Sequence, residues 1–236
     1  MIYFLVMRRK FISKVVRLTQ VIHIDRISRK LYNFYKRLLF VQLIHYHNFK
    51  KDKLRLIVGS SSTHQRGWIA TEQSWLDISK SNDWDRYFRP EQVDAILAEH
   101  VFEHIDFDDL HNSIENVFRY LRPGAYIRIA VPDGNHPSDT YINHVKPGGT
   151  GDGSNDHKVL YTYNTLSAQF TRAGFIVTLI EYFDEYGIFH KRKWSAADGF
   201  IERSLEFDKR NYSGINKYSS IIIDATKPEV INISLI

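Results

Sequence analysis

From Leu54 onward, short apolar runs alternate with amphipathic stretches. Leu54, Leu56, Ile57 and Val58 form a run that stops on Gly59, and Trp68-Ile69-Ala70-Thr71 forms the next. Residues 93–98, 126–131, 175–182 and 218–225 are further apolar runs of strand length. Runs this short, ended by breakers, predict buried strands rather than helices. Between the third and fourth runs, Ile114, Val117, Phe118 and Leu121 recur at helical spacing. They predict a helix over 111–121, stopped by Arg122-Pro123-Gly124. Leu166 and Phe170 predict a second helix over 164–173, capped by Gly174. Strand, helix, strand in alternation implies a parallel sheet with right-handed crossovers. The last two strands, joined by a long polar excursion, are expected to pair antiparallel. Residues 83–90 are expected as a loop and 184–194 as a turn-rich aromatic and basic stretch. The polar segment 135–163 is expected as a long irregular loop, the kind that usually serves a site.

The first 53 residues follow a different pattern. Residues 1–7 are apolar, but a membrane span needs roughly 20 such residues. Arg8, Arg9 and Lys10 follow that run rather than precede it, unlike a signal peptide. Apolar and basic residues then interleave without Pro or Gly, which predicts amphipathic helices. Through Lys53, 13 Lys and Arg stand against Asp25 and Asp52, a net of +11; the remaining 19 basic and 25 acidic residues carry −6. So a basic leader (1–53) precedes a mildly acidic domain (54–228) and a short tail (229–236). The leader either packs on the domain with a solvated basic face or attaches peripherally to an anionic membrane surface. No nucleic-acid-binding motif accompanies its charge. The absence of cysteine excludes disulfides, thiolate metal sites and a cysteine nucleophile. It also suits a cytoplasmic location.

Residues 54–72 carry the first chemical signal. Gly59-Ser60-Ser61-Ser62-Thr63 turns the chain with little side-chain bulk between its amides and a ligand. Glu72 stands at the carboxyl end of the second strand. There an acid can accept hydrogen bonds from ribose hydroxyls, so a nucleoside-containing ligand is expected.

The order of motifs resembles the class I S-adenosylmethionine-dependent methyltransferases, with closest likeness to a bacterial group associated with polysaccharide biosynthesis. The matching residues are Leu56–Gly59 with its turn, Gly67-Trp68-Ile69 leading to Glu72, and Trp75-Leu76-Asp77-Ile78. Glu99-His100-Val101-Phe102-Glu103-His104, Leu121-Arg122-Pro123-Gly124 and Val131-Pro132-Asp133 follow in family order. The resemblance implies an α/β, Rossmann-like, doubly wound and mostly parallel seven-stranded sheet with an N-terminal helical extension. It implies S-adenosylmethionine as cofactor, with Gly59, Ser60 and Ser61 facing its methionine part, Glu72 its ribose and Asp77 its adenine. Ala98, Glu99 and His100 would line the methyl-transfer face. The family turn usually has more glycines, and Ser61 stands where a glycine-only backbone angle would be strained.

Other constellations were weighed beside this one. His100-Val101-Phe102-Glu103-His104 fits H-x-x-E-H, a zinc-hydrolase pattern that needs a helix; here it follows directly from a buried strand, so no metal site is expected. A divalent ion on Asp133, Asp156 and His157 is an alternative that spacing does not select. Asp133, His136, Asp156 and His157 are expected to converge above the sheet, with His136 or His157 as the base that deprotonates an acceptor hydroxyl. Tyr161, Tyr163, Phe183, Tyr186, Phe189 and Trp194 are candidates for an aromatic acceptor wall. The resemblance implies O-methylation of a saccharide or glycan-intermediate hydroxyl, on a small-molecule or glycan acceptor near the inner membrane face. The alternative is a degenerate methyltransferase fold that binds or scaffolds without catalysis, docked through its basic leader.

Overall fold

A computed structural model describes residues 25–50, 52–61, 63–211 and 216–229. The chain divides after Tyr46 into two compact units. In the first, residues 1–24 of the leader lie outside the described part. Helix α1 (Asp25–Lys50) contains no Gly or Pro, as the pattern predicted. Phe40 and Ile44, one turn apart, are buried, whereas Leu31, Phe34 and Leu38 are exposed. Among the described residues, no helix is long and apolar enough to cross a membrane.

The second unit is a seven-stranded sheet with helices. Its strands are β1 (Arg55–Val58), β2 (Ile69–Ala70), β3 (Val93–Glu99), β4 (Leu121–Pro132), β5 (Ile176–Phe183), β6 (Phe189–Lys191) and β7 (Ser220–Thr226). Helices α2 (Ser81–Tyr87), α3 (Phe107–Tyr120), α4 (Asp139–Val145) and α5 (Tyr163–Arg172) connect them. The strand order is β2-β1-β3-β4-β7-β5-β6. β1 pairs parallel with β2 and β3, and β3 with β4. β7 runs antiparallel to both β4 and β5, and β6 to β5. Five strands therefore share one direction, while β6 and β7 oppose it, so the sheet is mixed. The expected antiparallel terminal pair is β5 with β7. The chain passes from β1 outward to β2 and then returns to β3 on β1's other side. That reversal opens a crevice at the carboxyl ends of β1 and β3, where α/β sheets bind ligands.

Several expectations need correction. Residues 81–87 are helical because Trp84 anchors them: it is fully buried, donates its indole N–H to the Ile78 carbonyl at 3.1 Å and stacks on Tyr120. Helix α3 begins at Phe107, four residues before the expected start, with Asp108 and Asp109 in its first turn, where carboxylates favour a helix N-terminus. Glu103 and His104 lie in a separate 3-10 turn (Phe102–His104) that precedes this helix. Arg122-Pro123-Gly124 ends the helix but does so inside β4. The ladder runs Val93 to Leu121 and resumes at Ala95 to Tyr126, so the intervening residues bulge out, with Gly124 at φ +76°. The segment 135–163 contains α4, whose Ser138 hydroxyl accepts the Tyr141 N–H, and a 3-10 turn (Ser154–Asp156).

On one face of the sheet, loop residues cover the strands. Ile57, Ala95, Leu97, Ala130, Ile180 and Ile222 cluster with Trp68 and Ile201. Arg128, buried in β4, pins this cover. It donates to both carboxylate oxygens of Asp224 at 2.8 Å and to the Ser195 and Gly199 carbonyls at 3.0 and 2.9 Å, with its guanidinium 5.1 Å above the Trp194 ring.

Candidate functional site

The turn after β1 sits at the crevice. Gly59 has φ +58°, and a Cβ there would lie 2.8 Å from Val101 Cγ2, closer than any side chain can come without a shift. Only glycine lets this turn lie against the segment that follows β3. The turn is tied to the end of β2: Ser60 N–H donates to the Thr71 carbonyl at 2.9 Å, and the Ser60 hydroxyl donates to Glu72 Oε1 at 3.0 Å. Ser61 adopts φ +47°, the left-handed conformation that the Ser-for-Gly departure implied. Gly59, Ser60, Ser61 and Glu72 thus come together; Ser62 lies outside the described residues. A small-residue turn beside a carboxylate is a donor and acceptor set that fits the amino-acid and ribose parts of a nucleoside cofactor.

The end of β3 is arranged differently. Ala98 is fully buried within the strand. Glu99 is also buried. Its carboxylate accepts the N–H groups of Glu202 and Arg203 at 3.2 and 2.8 Å and meets the Arg203 guanidinium at 3.4 Å. Burial raises its pKa, although those donors oppose the shift. So Glu99 clamps a later segment onto the strand end. His100 has φ +53°, a strained setting for a non-glycine residue at a strand end. Its Nε2 lies 3.1 Å from the Ser220 hydroxyl. Burial, reinforced by the Arg203 charge, holds its pKa well below the ordinary value, so the ring is neutral. Asp77 stands apart, accepting from the Ser79 N–H and hydroxyl and pairing with Lys80 at 2.9 Å.

Beside His100 opens a cavity of about 450 Å3, lined by His157, Arg203, Asp208, Arg210 and Tyr218 among others. Arg210 pairs with Asp208 and lies 3.3 Å above the Tyr218 ring. His157 donates from Nδ1 to the Val145 carbonyl at 2.7 Å, which leaves the Nε2 lone pair available. Burial keeps this imidazole below its ordinary pKa.

Asp133 and His136 do not line this cavity. The Asp133 carboxylate joins the ends of β4 and β5, accepting Asn135 N–H at 2.9 Å and Phe183 N–H at 2.7 Å. Burial pushes its pKa up to about 6, against the pull of those two N–H groups. His136 is stacked on Tyr141 at 4.0 Å and meets Phe183 edge-on at 4.8 Å. Its Nδ1 accepts the Ser138 N–H, and burial pushes its pKa down to about 4. Of the four polar groups expected to converge, the cavity therefore takes only His157. None of the six expected wall aromatics lines it; Tyr218 does. Arg203, Asp208 and Arg210 were missed. They lie in a charged stretch with no motif, and only their contacts with Glu99 and Tyr218 mark them.

A family model described as "Methyltransferase domain" matches residues 18–180. A search of curated protein sequences returns no match. Solved structures resemble the fold at low identity. A SAM-dependent methyltransferase from Archaeoglobus fulgidus is 15% identical, with TM-score 0.44, covering 81% of this chain and 94% of its own. An S-adenosylmethionine-dependent methyltransferase from Mesorhizobium loti is 11% identical, with TM-score 0.44, covering 75% and 81%. Phosphoethanolamine N-methyltransferase 2 from Haemonchus contortus, solved with S-adenosyl-L-methionine, is 13% identical, with TM-score 0.39, covering 75% and 49%.

Proposed function

The chain belongs to the methyltransferase-domain family, and from that premise we propose that it methylates a hydroxyl of a saccharide or glycan intermediate, with S-adenosylmethionine as donor. When bound, the cofactor supplies an electrophilic methyl group on a sulfonium. The Gly59–Ser61 turn and Glu72 would hold it. His100 would border the reacting groups as a neutral ring. Asp77, Ala98 and Glu99 remain in the proposed cofactor shell, Glu99 through the segment it clamps rather than by direct contact. The acceptor's main requirements are alignment and loss of a hydroxyl proton. His157, neutral and with its Nε2 pair available, is the imidazole assigned to that proton. Asp133 and His136 support the neighbouring strand ends.

The observation that carries the acceptor reading is the polar cavity beside His100. Arg203, Arg210, Asp208 and His157 offer donors and acceptors in the density a polyhydroxylated molecule needs. Exposed Leu31, Phe34 and Leu38 on the basic helix α1 support peripheral contact with an anionic membrane surface, where such acceptors are lipid-linked. The test is incubation of the full chain with methyl-labelled S-adenosylmethionine and a panel of sugar nucleotides and lipid-linked saccharides. Label on a sugar hydroxyl, lost in His157→Ala, is the expected result; label appearing only on protein would overturn the acceptor reading. The second reading, a binding protein without turnover, draws on the strained Ser61. Titration with S-adenosylhomocysteine separates the two readings, because absence of both heat and thermal shift would favour the second.

A further inference from the structure

Glu103, His104 and His157 meet from two parts of the chain, the 3-10 turn after β3 and the residue that follows the Ser154–Asp156 turn. Each offers one ligand atom, and the three atoms all lie within 4.8 Å of one another. Glu103 is fully buried, and neither carboxylate oxygen has a hydrogen-bond partner among the described residues. His100 Nδ1 approaches Oε1 to 3.2 Å, but not with hydrogen-bond geometry. A carboxylate withdrawn from water without partners is costly, and burial pushes this one up to about 8. Neither Glu103 nor His104 has a task in the methyl transfer proposed above.

The two imidazoles are prepared for a ligand. The Val145 carbonyl fixes the His157 tautomer that presents its Nε2 pair, the second-sphere arrangement that orients metal-binding histidines. His104 meets His157 edge-on at 4.7 Å between ring centres. Its Nδ1 is buried without a hydrogen-bond partner, 3.4 Å from the exposed Asp156 carboxylate.

The geometry points to a divalent transition-metal site made by Glu103, His104 and His157, with its remaining coordination positions reached from the cavity that His157 lines. Two imidazoles and one carboxylate favour cations of the zinc, manganese and iron class over magnesium or calcium. Bonds of about 2.0–2.2 Å would draw the three side chains inward, with Glu103 releasing the proton that burial holds on it. The His157 Nε2 pair cannot hold a cation and accept a proton at once. In the loaded protein the cation would lower the pKa of the acceptor hydroxyl and the proton would pass to bulk water, so the base role given to His157 above belongs to the metal-free protein.

Metal uptake is read without turnover, so its failure and the failure of the acceptor reading are separate results. Chelator-treated full-length protein is titrated with Zn2+ by calorimetry and with Co2+ by visible absorption. One equivalent per chain is expected, with Zn2+ raising the thermal midpoint of the wild type. Glu103→Gln keeps the buried shape in a neutral form, so it is expected to fold. It and His157→Gln should each weaken uptake by more than the roughly 10–100-fold that losing an outer partner costs. His111→Gln, at an exposed pair with Glu115, should change nothing. Absence of stoichiometric uptake by the wild type overturns the assignment, as does uptake that Glu103→Gln and His157→Gln both retain.

Discussion

The two halves of the candidate site are built on opposite principles. The half at the end of β1 is backbone: a glycine turn pressed on Val101, with one hydroxyl bonded to one carboxylate. The half around the cavity is side chains: Glu99 holds Arg203 and Arg210 lies over Tyr218, while further down the sheet Arg128, paired with Asp224, pins the segment that leads to Arg203. The first half tolerates almost no added atom. The second depends on charges that hold one another in place. A family-wide ligand suits the first arrangement, because a backbone cradle does not change when side chains do. A particular acceptor suits the second. The family match agrees with this division: it ends at residue 180, before the segment that supplies Arg203, Asp208 and Arg210.

That contrast can be broken by substitution. The largest effect is expected at Arg128→Met, which strands Asp224 and two carbonyls around a buried position. Loss of one partner of a buried pair costs about 3–5 kcal/mol, to be read by urea unfolding. A loss within the range of an exposed ion pair would mean that the charged half is not held by its charges. Next is the pH dependence set by Asp133, whose pKa rises from 3.8 to about 6 on folding. A raised carboxyl contributes stability that is present below its unfolded pKa and lost as pH rises through about 6. At about 1.36 kcal/mol per pKa unit, the Asp133 contribution falls by about 3 kcal/mol between roughly pH 4 and 6, read as the difference between wild type and Asp133→Asn because His136 titrates with the opposite sign over that window. Asp133→Asn should flatten that slope. Gly59→Ala should cost about 1–2 kcal/mol for its left-handed backbone and abolish S-adenosylhomocysteine binding in a calorimetric titration. Unchanged affinity would remove the turn from the cofactor site. Smallest is Ser61→Gly, expected to raise stability by less than about 1 kcal/mol, because relief of the left-handed strain is partly offset by glycine's unfolded-state entropy.

His136 sharpens the comparison from the other direction. Its pKa falls from 6.5 to about 4 on folding because the ring is enclosed between Tyr141 and Phe183. A depressed histidine contributes stability that is present above its unfolded pKa and lost as pH falls through about 4. His136→Phe should therefore resist acid unfolding better than the wild type. It should retain methyl transfer if His136 is only a support.

The backbone half was largely legible in the sequence. Leu54–Val58 ending on Gly59, and Glu72 after the next run, are local patterns with a local physical cause. Strand β3 was legible for the same reason, and the left-handed Ser61 follows from a serine in a glycine position. The cavity was not legible, because its members gain meaning only from partners far along the chain. Glu99 reads in the sequence as a ligand-facing acid, yet its carboxylate accepts the N–H of Arg203, 104 residues later. His136 and His157 are loop histidines of similar surroundings in sequence, yet Ser138 and Tyr141 bury one while Val145 turns the other toward the cavity. The pattern His100-x-x-Glu103-His104 lacks the helix that a zinc hydrolase needs. What distinguishes it is His157, which spacing could not place beside it.

The position of β7 has a consequence for how the chain is made. β4 and β5 share no ladder; each is hydrogen-bonded to β7, which lies between them. During synthesis, β1 to β4 can assemble as residues 55–132 emerge, but the β5–β6 hairpin lacks its native partner strand until residues 220–226 follow. Through that interval β4 presents an unpaired edge bearing Ile127, Ile129 and Val131, all of which end up fully buried. The nascent protein is therefore most open to mispairing just before its last strand arrives, and chaperone demand should peak over the same stretch of translation.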